Sequence, residues 1–450
     1  MNTQDTICAI ATAQGGAIGV IRISGKDAIA ITDRIFTPVG KHPLPLSERK
    51  AYTMAFGHIR QDDGEIIDEV LIGLFKSPHS YTGEDCVEIS CHGSSFILQQ
   101  VMQLLIRKGC RAAGPGEFTQ RAFLNGKMDL SQAEAVADLI ASSSAATHRM
   151  AMNQMRGGFS RELSALRERL LHLTSLMELE LDFSDHEELE FADRSELETI
   201  AGDIEKVISG LVHSFSVGNV LKNGIPVAIV GETNAGKSTL LNTLLNEEKA
   251  IVSDIHGTTR DVIEDTVNLS GITFRFIDTA GIRDTHDTIE NMGIARSFHK
   301  MEQAEIVLWV VDNTCAEAQI RQLSPRILPL CSNKQLIILL NKSDQVSAVP
   351  TKLSGLPENT VTLSISAKEK TGIQELQNLL VKTASVPELT SSDLIVTNVR
   401  HYEALSLALE DIHRVQNGLQ THLSGDFISQ DLRECLFHLA EIVGGEITAE

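Results

Sequence analysis

Val227-Ala-Ile-Val-Gly231-Glu-Thr-Asn-Ala-Gly236-Lys237-Ser238-Thr-Leu-Leu-Asn-Thr-Leu-Leu245 decides the fold class. Four apolar residues read as a buried strand, Gly-x4-Gly-Lys-Ser as a phosphate-binding loop, and the Leu-rich run after it as a helix. The glycines let backbone N–H groups converge on phosphate oxygens at a helix N-terminus. Lys237 is expected to neutralise the β- and γ-phosphates, and the Ser238 hydroxyl to hold Mg²⁺.

Moving outward, four more elements follow in order. Thr258-Thr259 lies about 20 residues on; Asp278-Thr-Ala-Gly281, Asn341-Lys-Ser-Asp344 and Ser366-Ala-Lys368 each end an apolar run. Strands are predicted at 227–230, 273–277, 306–312, 335–340 and 360–365, alternating with helical stretches. That alternation predicts a doubly wound parallel sheet, and the order is the one P-loop GTPases use. Guanine is favoured by hydrogen-bond chemistry. Asp344 accepts from the ring N–H and the exocyclic amine of guanine, whereas adenine offers no donors there and would leave the carboxylate unpaired. Asn341 is expected to contact the base and tie down the phosphate loop, Lys342 to cover the base face, and the backbone near Ala367 to meet the guanine oxygen.

The γ-phosphate end is unusual. The position after Gly281, where a Ras-like enzyme carries a water-orienting glutamine, is Ile282, and an apolar side chain cannot polarise water. Glu290 is the best replacement, ahead of Asp284 and Asp287. Positive charge has to come from Arg260, Arg275 or Arg283, or from a monovalent cation with oxygen ligands in Asn234 and the loop Ser253-Asp-Ile-His-Gly-Thr258.

The 450 residues suggest about three folding units, and 42% apolar with 22% charged residues excludes a largely disordered or fibrous chain. No apolar run approaches the ~18 residues of a membrane span, and Met1-Asn-Thr-Gln-Asp lacks a cationic leader, so a soluble cytoplasmic protein is expected. Seven scattered cysteines fit neither a disulfide framework nor a Cys-x-x-Cys site. The net charge of −21 is concentrated in 121–219, with 9 basic against 17 acidic residues, and 387–450, with 3 against 11. Both segments read as proline-poor helices, at 129–145, 159–181, 207–221, 401–420 and 429–443, so they are expected to be halves of one helical domain split by an insertion. Residues 182–193 read as an exposed acidic loop. The expected division is 1–118 (mixed α/β), 119–221 (helical), 222–386 (nucleotide-binding) and 387–450 (helical).

Asn234-Ala-Gly-Lys-Ser-Thr-Leu-Leu-Asn, Ile255-His-Gly-Thr-Thr-Arg-Asp and Asp278-Thr-Ala-Gly-Ile-Arg resemble the TrmE-Era group of translation GTPases. Ile21-Arg-Ile-Ser-Gly, Tyr81-Thr-Gly-Glu-Asp-Cys-Val-Glu-Ile and Pro115-Gly-Glu-Phe-Thr-Gln-Arg-Ala-Phe-Leu-Asn-Gly-Lys narrow the resemblance to the MnmE (TrmE) family of tRNA modification GTPases. It implies an α/β multidomain protein with an amino-terminal folate-binding-like domain, an all-helical domain and an inserted P-loop GTPase domain. It also implies a homodimer, a cytoplasmic partnership with the flavoprotein MnmG in a heterotetramer or larger complex, and carboxymethylaminomethyl addition to the wobble uridine of certain tRNAs.

Carried onto this sequence, the family pattern makes Arg22, Glu88 and Lys127 a 5-formyltetrahydrofolate site. Asn234, Ser253, Ile255 and Thr258 become K⁺ ligands, Ser238 and Thr259 Mg²⁺ ligands, and Glu290 and Lys237 the catalytic residues. GTP contacts fall on Asn234, Ala235, Gly236, Lys237, Ser238 and Thr239; on Ser253, Asp254, Ile255, His256, Gly257, Thr258 and Thr259; on Asp278, Thr279, Ala280 and Gly281; and on Asn341, Lys342, Asp344, Ser366, Ala367 and Lys368. K⁺ is then expected to replace the missing arginine finger, with activation by G-domain pairing. The family ends in a Cys-x-Gly-Lys tail, whereas this sequence finishes Gly445-Glu-Ile-Thr-Ala-Glu450. GTP hydrolysis is expected not to need that tail and tRNA modification to depend on it, while Cys435, on an apolar helical pattern, is expected to pack in a core. Two alternatives are an Era-like ribosome-assembly GTPase, disfavoured because 387–450 is acidic, and a folate-binding scaffold with a gating GTPase.

Overall fold

The computed structural model describes residues 5–13, 15–40, 43–182, 194–248, 265–277, 301–332, 334–346, 356–357, 360–384 and 394–445. They fall into two compact units, one drawn from 1–137, 154–165 and 439–450 and the other from 138–153 and 166–438.

The first unit is built on a seven-stranded sheet of β1 (Ile7–Ile10), β2 (Ile18–Ser24), β3 (Phe36–Pro38), β4 (Thr53–Arg60), β5 (Ile66–Phe75), β6 (Cys86–His92) and β7 (Arg111–Ala112), in the order β3-β4-β5-β6-β2-β1-β7. Its strands alternate, as expected when one face meets the core. Ile21, Ile23, Ile72 and Ile89 point inward and pack with Leu98, Val101, Leu104 and Leu105 of the helix Ser95–Arg107. Beside the sheet, Arg121 of the helix Glu117–Leu124 is 3% exposed and is neutralised by Asp5, Glu84 and Glu117. A buried guanidinium is tolerable only with such partners.

Glu117 also takes two hydrogen bonds from Arg111 and one from the backbone of Gly114, and these hold its carboxyl down at about 2. Because the folded value lies below the ordinary 4.5, the unfolded chain takes up the proton first on acidification. The contribution is therefore complete above that ordinary value and is lost as pH falls towards 2. Glu117→Gln is expected to lower the melting temperature at pH 7 and to narrow its difference from wild type at pH 3. An unchanged gap in melting scans at the two pH values would refute this.

The second unit contains a six-stranded sheet of β8 (Ile225–Val230), β9 (Asp265–Leu269), β10 (Ile272–Phe276), β11 (Ile306–Asp312), β12 (Gln335–Asn341) and β13 (Val361–Ser364), ordered β13-β12-β11-β8-β10-β9. All pairings are parallel except β9 with β10. β11, Ile-Val-Leu-Trp-Val-Val-Asp, is buried from Ile306 to Val311, the continuous apolar run that a parallel strand covered on both faces requires. The doubly wound sheet matches the sequence expectation. β9 was not foreseen, because Asp265-Thr-Val-Asn-Leu alternates too briefly to stand out.

The chain enters this sheet at Gly224 (φ +76°) from the helix Arg194–Asn223 and later continues into the helix Val399–Gln420. These two helices pack on each other. Phe215 stacks on Tyr402 with centroids 4.4 Å apart, and Ser214 Oγ accepts from Val396 N at 3.0 Å. Gly218 is required there, since a Cβ would stand 2.1 Å from the Val396 carbonyl oxygen.

Two helix expectations are corrected. The helix predicted over 129–145 ends at Ala141, and a further helix, Ala145–Met155, begins where the run was expected to stop, because Ser144 Oγ accepts from Thr147 N and Thr147 Oγ1 accepts from Ser144 N, a reciprocal cap that starts a new helix. The helix predicted over 207–221 begins earlier, at Arg194, and on Gly425–Val443 the buried face is Ile428, Leu432, Cys435, Leu439 and Ile442, with Phe427 60% exposed. Cys435 is fully buried, and burial pushes its thiol well above the ordinary range. Residues 183–193 lie outside the described residues. Among the described residues no helix is long and apolar enough to cross a membrane.

Candidate functional site

A parallel sheet delivers the C-terminal ends of its strands to one edge. At that edge β8 runs into Gly231, β11 ends at Asp312, β12 at Asn341, and Ser366 follows β13. Motifs up to about 130 residues apart in sequence are brought together here for that reason.

Asn341, 3% exposed, is the tie. Its Nδ2 donates to the carbonyl oxygen of Ala235 in the phosphate loop at 2.8 Å, and its Oδ1 accepts from Ala367 N at 3.0 Å. The Ala367 carbonyl in turn accepts from Thr243 Oγ1, on the helix Lys237–Glu248, at 3.0 Å. The phosphate loop itself needs its glycines. A Cβ on Gly231 would lie 2.2 Å from the Val310 carbonyl oxygen, and one on Gly236 (φ +96°) 2.2 Å from Asn341 Nδ2. Lys237 Nζ lies along the loop, donating to the carbonyls of Gly231 at 2.8 Å and Glu232 at 2.6 Å. Asn234 at the loop tip is exposed with a left-handed backbone (φ +64°); Ser238 and Thr239 lie in the first turn of the helix that Lys237 begins.

On the base side, Asp344 is exposed, and its Oδ1 accepts from Ser366 Oγ at 2.6 Å. Ser366 Oγ itself accepts from Glu369 N at 3.2 Å, so its proton is directed at Asp344. Lys342, in left-handed backbone (φ +65°), places Nζ 2.6 Å from Asp312 Oδ2. Burial raises the Asp312 carboxyl, but the hydrogen bonds from Lys342 and Thr314 outweigh it and hold the group below its ordinary value. Lys368 is an exposed residue of the same loop. Asp312, Thr243, Gln319 and Glu232 were not foreseen; only an aspartate closing an apolar strand could have drawn attention to the first.

Ser253, Asp254, Ile255, His256, Gly257, Thr258, Thr259, Asp278, Thr279, Ala280, Gly281, Ile282 and Glu290 lie outside the described residues. Arg275, one of the arginines considered as a finger, pairs in register with Pro226. That is five residues before Gly231, or roughly 16 Å along the strand, so it stands at the wrong end of β8 for the γ-phosphate.

In the first unit Arg22 and Glu88 face each other across β2 and β6, with Arg22 Nε donating to Glu88 Oε1 at 2.9 Å. The guanidinium carbon lies 5.3 Å from the Tyr81 ring centroid and 5.8 Å from that of Phe118. Lys127 Nζ donates to the Pro78 carbonyl oxygen at 3.1 Å, and its side chain passes over Gly83. Arg22 and Lys127 thus border the 78–83 loop, and Glu88 is joined to it through Arg22. A partly exposed carboxylate paired with a guanidinium that lies against two aromatic rings fits a planar, amine-bearing heterocycle.

Residues 6–127 match the family described as GTP-binding protein TrmE N-terminus, and residues 130–450 match the MnmE helical domain family. A Bacteroides thetaiotaomicron protein named tRNA modification GTPase MnmE is 66% identical over 99% of this chain and 96% of its own length. A Flavobacterium johnsoniae protein of the same name is 52% identical over 99% and 96%. Among solved structures, an Aquifex aeolicus Era variant bound to GDP·AlF4⁻ is similar at 28% identity over 41% of this chain and 66% of that one, with TM-score 0.27.

Proposed function

The chain belongs to the MnmE family of tRNA modification GTPases, and from that premise we infer that it binds and hydrolyses GTP in the service of tRNA modification. The observation that carries the nucleotide reading is Asn341, whose one amide joins the phosphate loop to the Ser366-Ala367 loop while Asp344 stays open to a base. We propose that Asp344 reads guanine, that Lys342 covers the base, and that Lys237 and the phosphate-loop amides hold the β- and γ-phosphates. Ser238 with Thr259 would hold Mg²⁺, and exposed Asn234, with Ser253, Ile255 and Thr258, would hold K⁺. A bound alkali ion supplies the positive charge that an arginine finger supplies in other GTPases, and Glu290 orients the attacking water where Ile282 cannot.

In the first unit, Arg22, Glu88 and Lys127 are assigned to 5-formyltetrahydrofolate: the carboxylate accepts from the pterin amine, and the two cations take its oxygens or glutamate tail. Residues 1–118 form the folate and dimerisation domain, and 222–386 the G domain inserted between helical halves 119–221 and 387–450. Working as a cytoplasmic homodimer with MnmG, the protein would hydrolyse GTP as it stands and would install carboxymethylaminomethyl at the wobble uridine when the Cys-x-Gly-Lys tail is supplied. The test is GTP turnover at matched ionic strength in KCl and in NaCl. A rate about 100-fold higher in KCl is expected, the scale on which removing one charge-stabilising group acts. Equal rates would eliminate the alkali-ion role.

A further inference from the structure

Hydrogen bonds run without a break from the base side of the nucleotide site to its phosphate side. Lys342 Nζ donates to Asp312 Oδ2 at 2.6 Å, Asp312 N donates to Gln319 Oε1 at 2.9 Å, and Gln319 Nε2 donates to Glu232 Oε2 at 2.9 Å. Gln319 stands in the first turn of the helix Ala316–Ile327, is 7% exposed, and has both ends of its amide engaged. Glu232 directly follows Gly231, and its backbone carbonyl also receives Lys237 Nζ.

A glutamate in this place runs against simple electrostatics, because it puts negative charge in a loop that is to receive a polyanion. Its position is therefore consequential. An amide donor keeps the carboxylate turned towards the helix Ala316–Ile327, and a buried amide with fixed partners at both ends is a rigid spacer. Asp312 sits beside Asn341 in the β11–β12 register, so the same spacer is referenced to the strand ends that carry the base-reading residues.

We propose that Gln319 is a positioning residue that straps the start of the phosphate loop, through Glu232, to the base-reading edge of the sheet and thereby slows nucleotide release. The inference rests on the nucleotide-site assignment above. It differs from that assignment in naming a residue that touches neither base nor phosphate.

The test uses the full chain and the fluorescent nucleotide mant-GDP, chased with excess GDP in a stopped-flow instrument. Failure of the wild-type protein to bind mant-GDP would remove the nucleotide-site assignment itself. Given binding, Gln319→Glu sets two carboxylates against each other and is expected to speed release about tenfold, the scale of one charge-assisted hydrogen bond lost. The exchange variant, Glu232→Gln with Gln319→Glu, restores a donor–acceptor pair with its direction reversed. The new carboxylate still accepts from Asp312 N, and release is expected to return to within about twofold of wild type. A merely structural role for Gln319 would alter melting temperature but give no such rescue. Release by Gln319→Glu within twofold of wild type, or an exchange variant no slower than that single variant, overturns the strap. If Gln319→Glu does not fold, Gln319→Leu removes both hydrogen bonds of the amide without changing the charge of the site. It is expected to speed release about fivefold, and an unchanged rate overturns the proposal equally.

Discussion

Asp344→Asn is expected to lower GTP affinity by about 10³-fold or more and to create affinity for xanthosine triphosphate. Guanine presents two donors, its ring N–H and its amine, and a carboxylate is the side chain that accepts both at once. In the variant one oxygen becomes an NH2 group. Which one is settled by the surroundings: Ser366 Oγ accepts from Glu369 N and donates to Oδ1 of residue 344, so the oxygen stays on the Ser366 side. The NH2 group then faces the base, where it meets the guanine amine donor to donor but suits the carbonyl that xanthine carries at the same carbon. Competition of GTP and xanthosine triphosphate against a mant-nucleotide measures the switch. An unchanged preference for GTP would remove Asp344 from base recognition.

Gly236→Ala is expected to weaken nucleotide binding by about 100-fold and to cost roughly 2–4 kcal/mol of stability. Part of the cost is local, since φ +96° is strained for any residue with a Cβ. The larger part is the 2.2 Å approach to Asn341 Nδ2. A surface side chain would swing aside, but Asn341 is buried and bonded to Ala235 and Ala367, so moving it breaks the bridge between the phosphate and base loops. Denaturant unfolding and mant-GDP titration give the two numbers. The cycle with Asn341→Ala isolates the cause: once the asparagine is gone, the alanine at 236 should cost much less. Strictly additive losses would show that the collision with Asn341 is not what matters.

The parts of the site legible in the sequence are those written contiguously. A strand, a glycine turn, a lysine and a helix within 20 residues form one local unit, and its motif survives translation into three dimensions because backbone geometry alone sets the spacing. Phe215 against Tyr402, a contact between residues 187 positions apart, is of the opposite kind: no local motif marks it. Boundaries were less legible. Nothing in the apolar periodicity over 129–145 announces the break at Ser144, because a cap is an exchange of two hydrogen bonds and leaves no mark on hydrophobicity.

By itself, then, the sequence determined the family, the phosphate-loop motif and the Asn341-Lys-Ser-Asp344 quartet proposed to read guanine, since each motif is written in residues only a few positions apart. Tertiary structure decided which partners those residues have: that Asn341 bridges two loops, that Lys342 rests on Asp312, that Gln319 grips Glu232 across 87 positions, and that Arg275 stands at the wrong end of its strand. The reason is that a parallel sheet gathers strand ends from distant parts of the chain, and only the order and register of its strands say which of them meet.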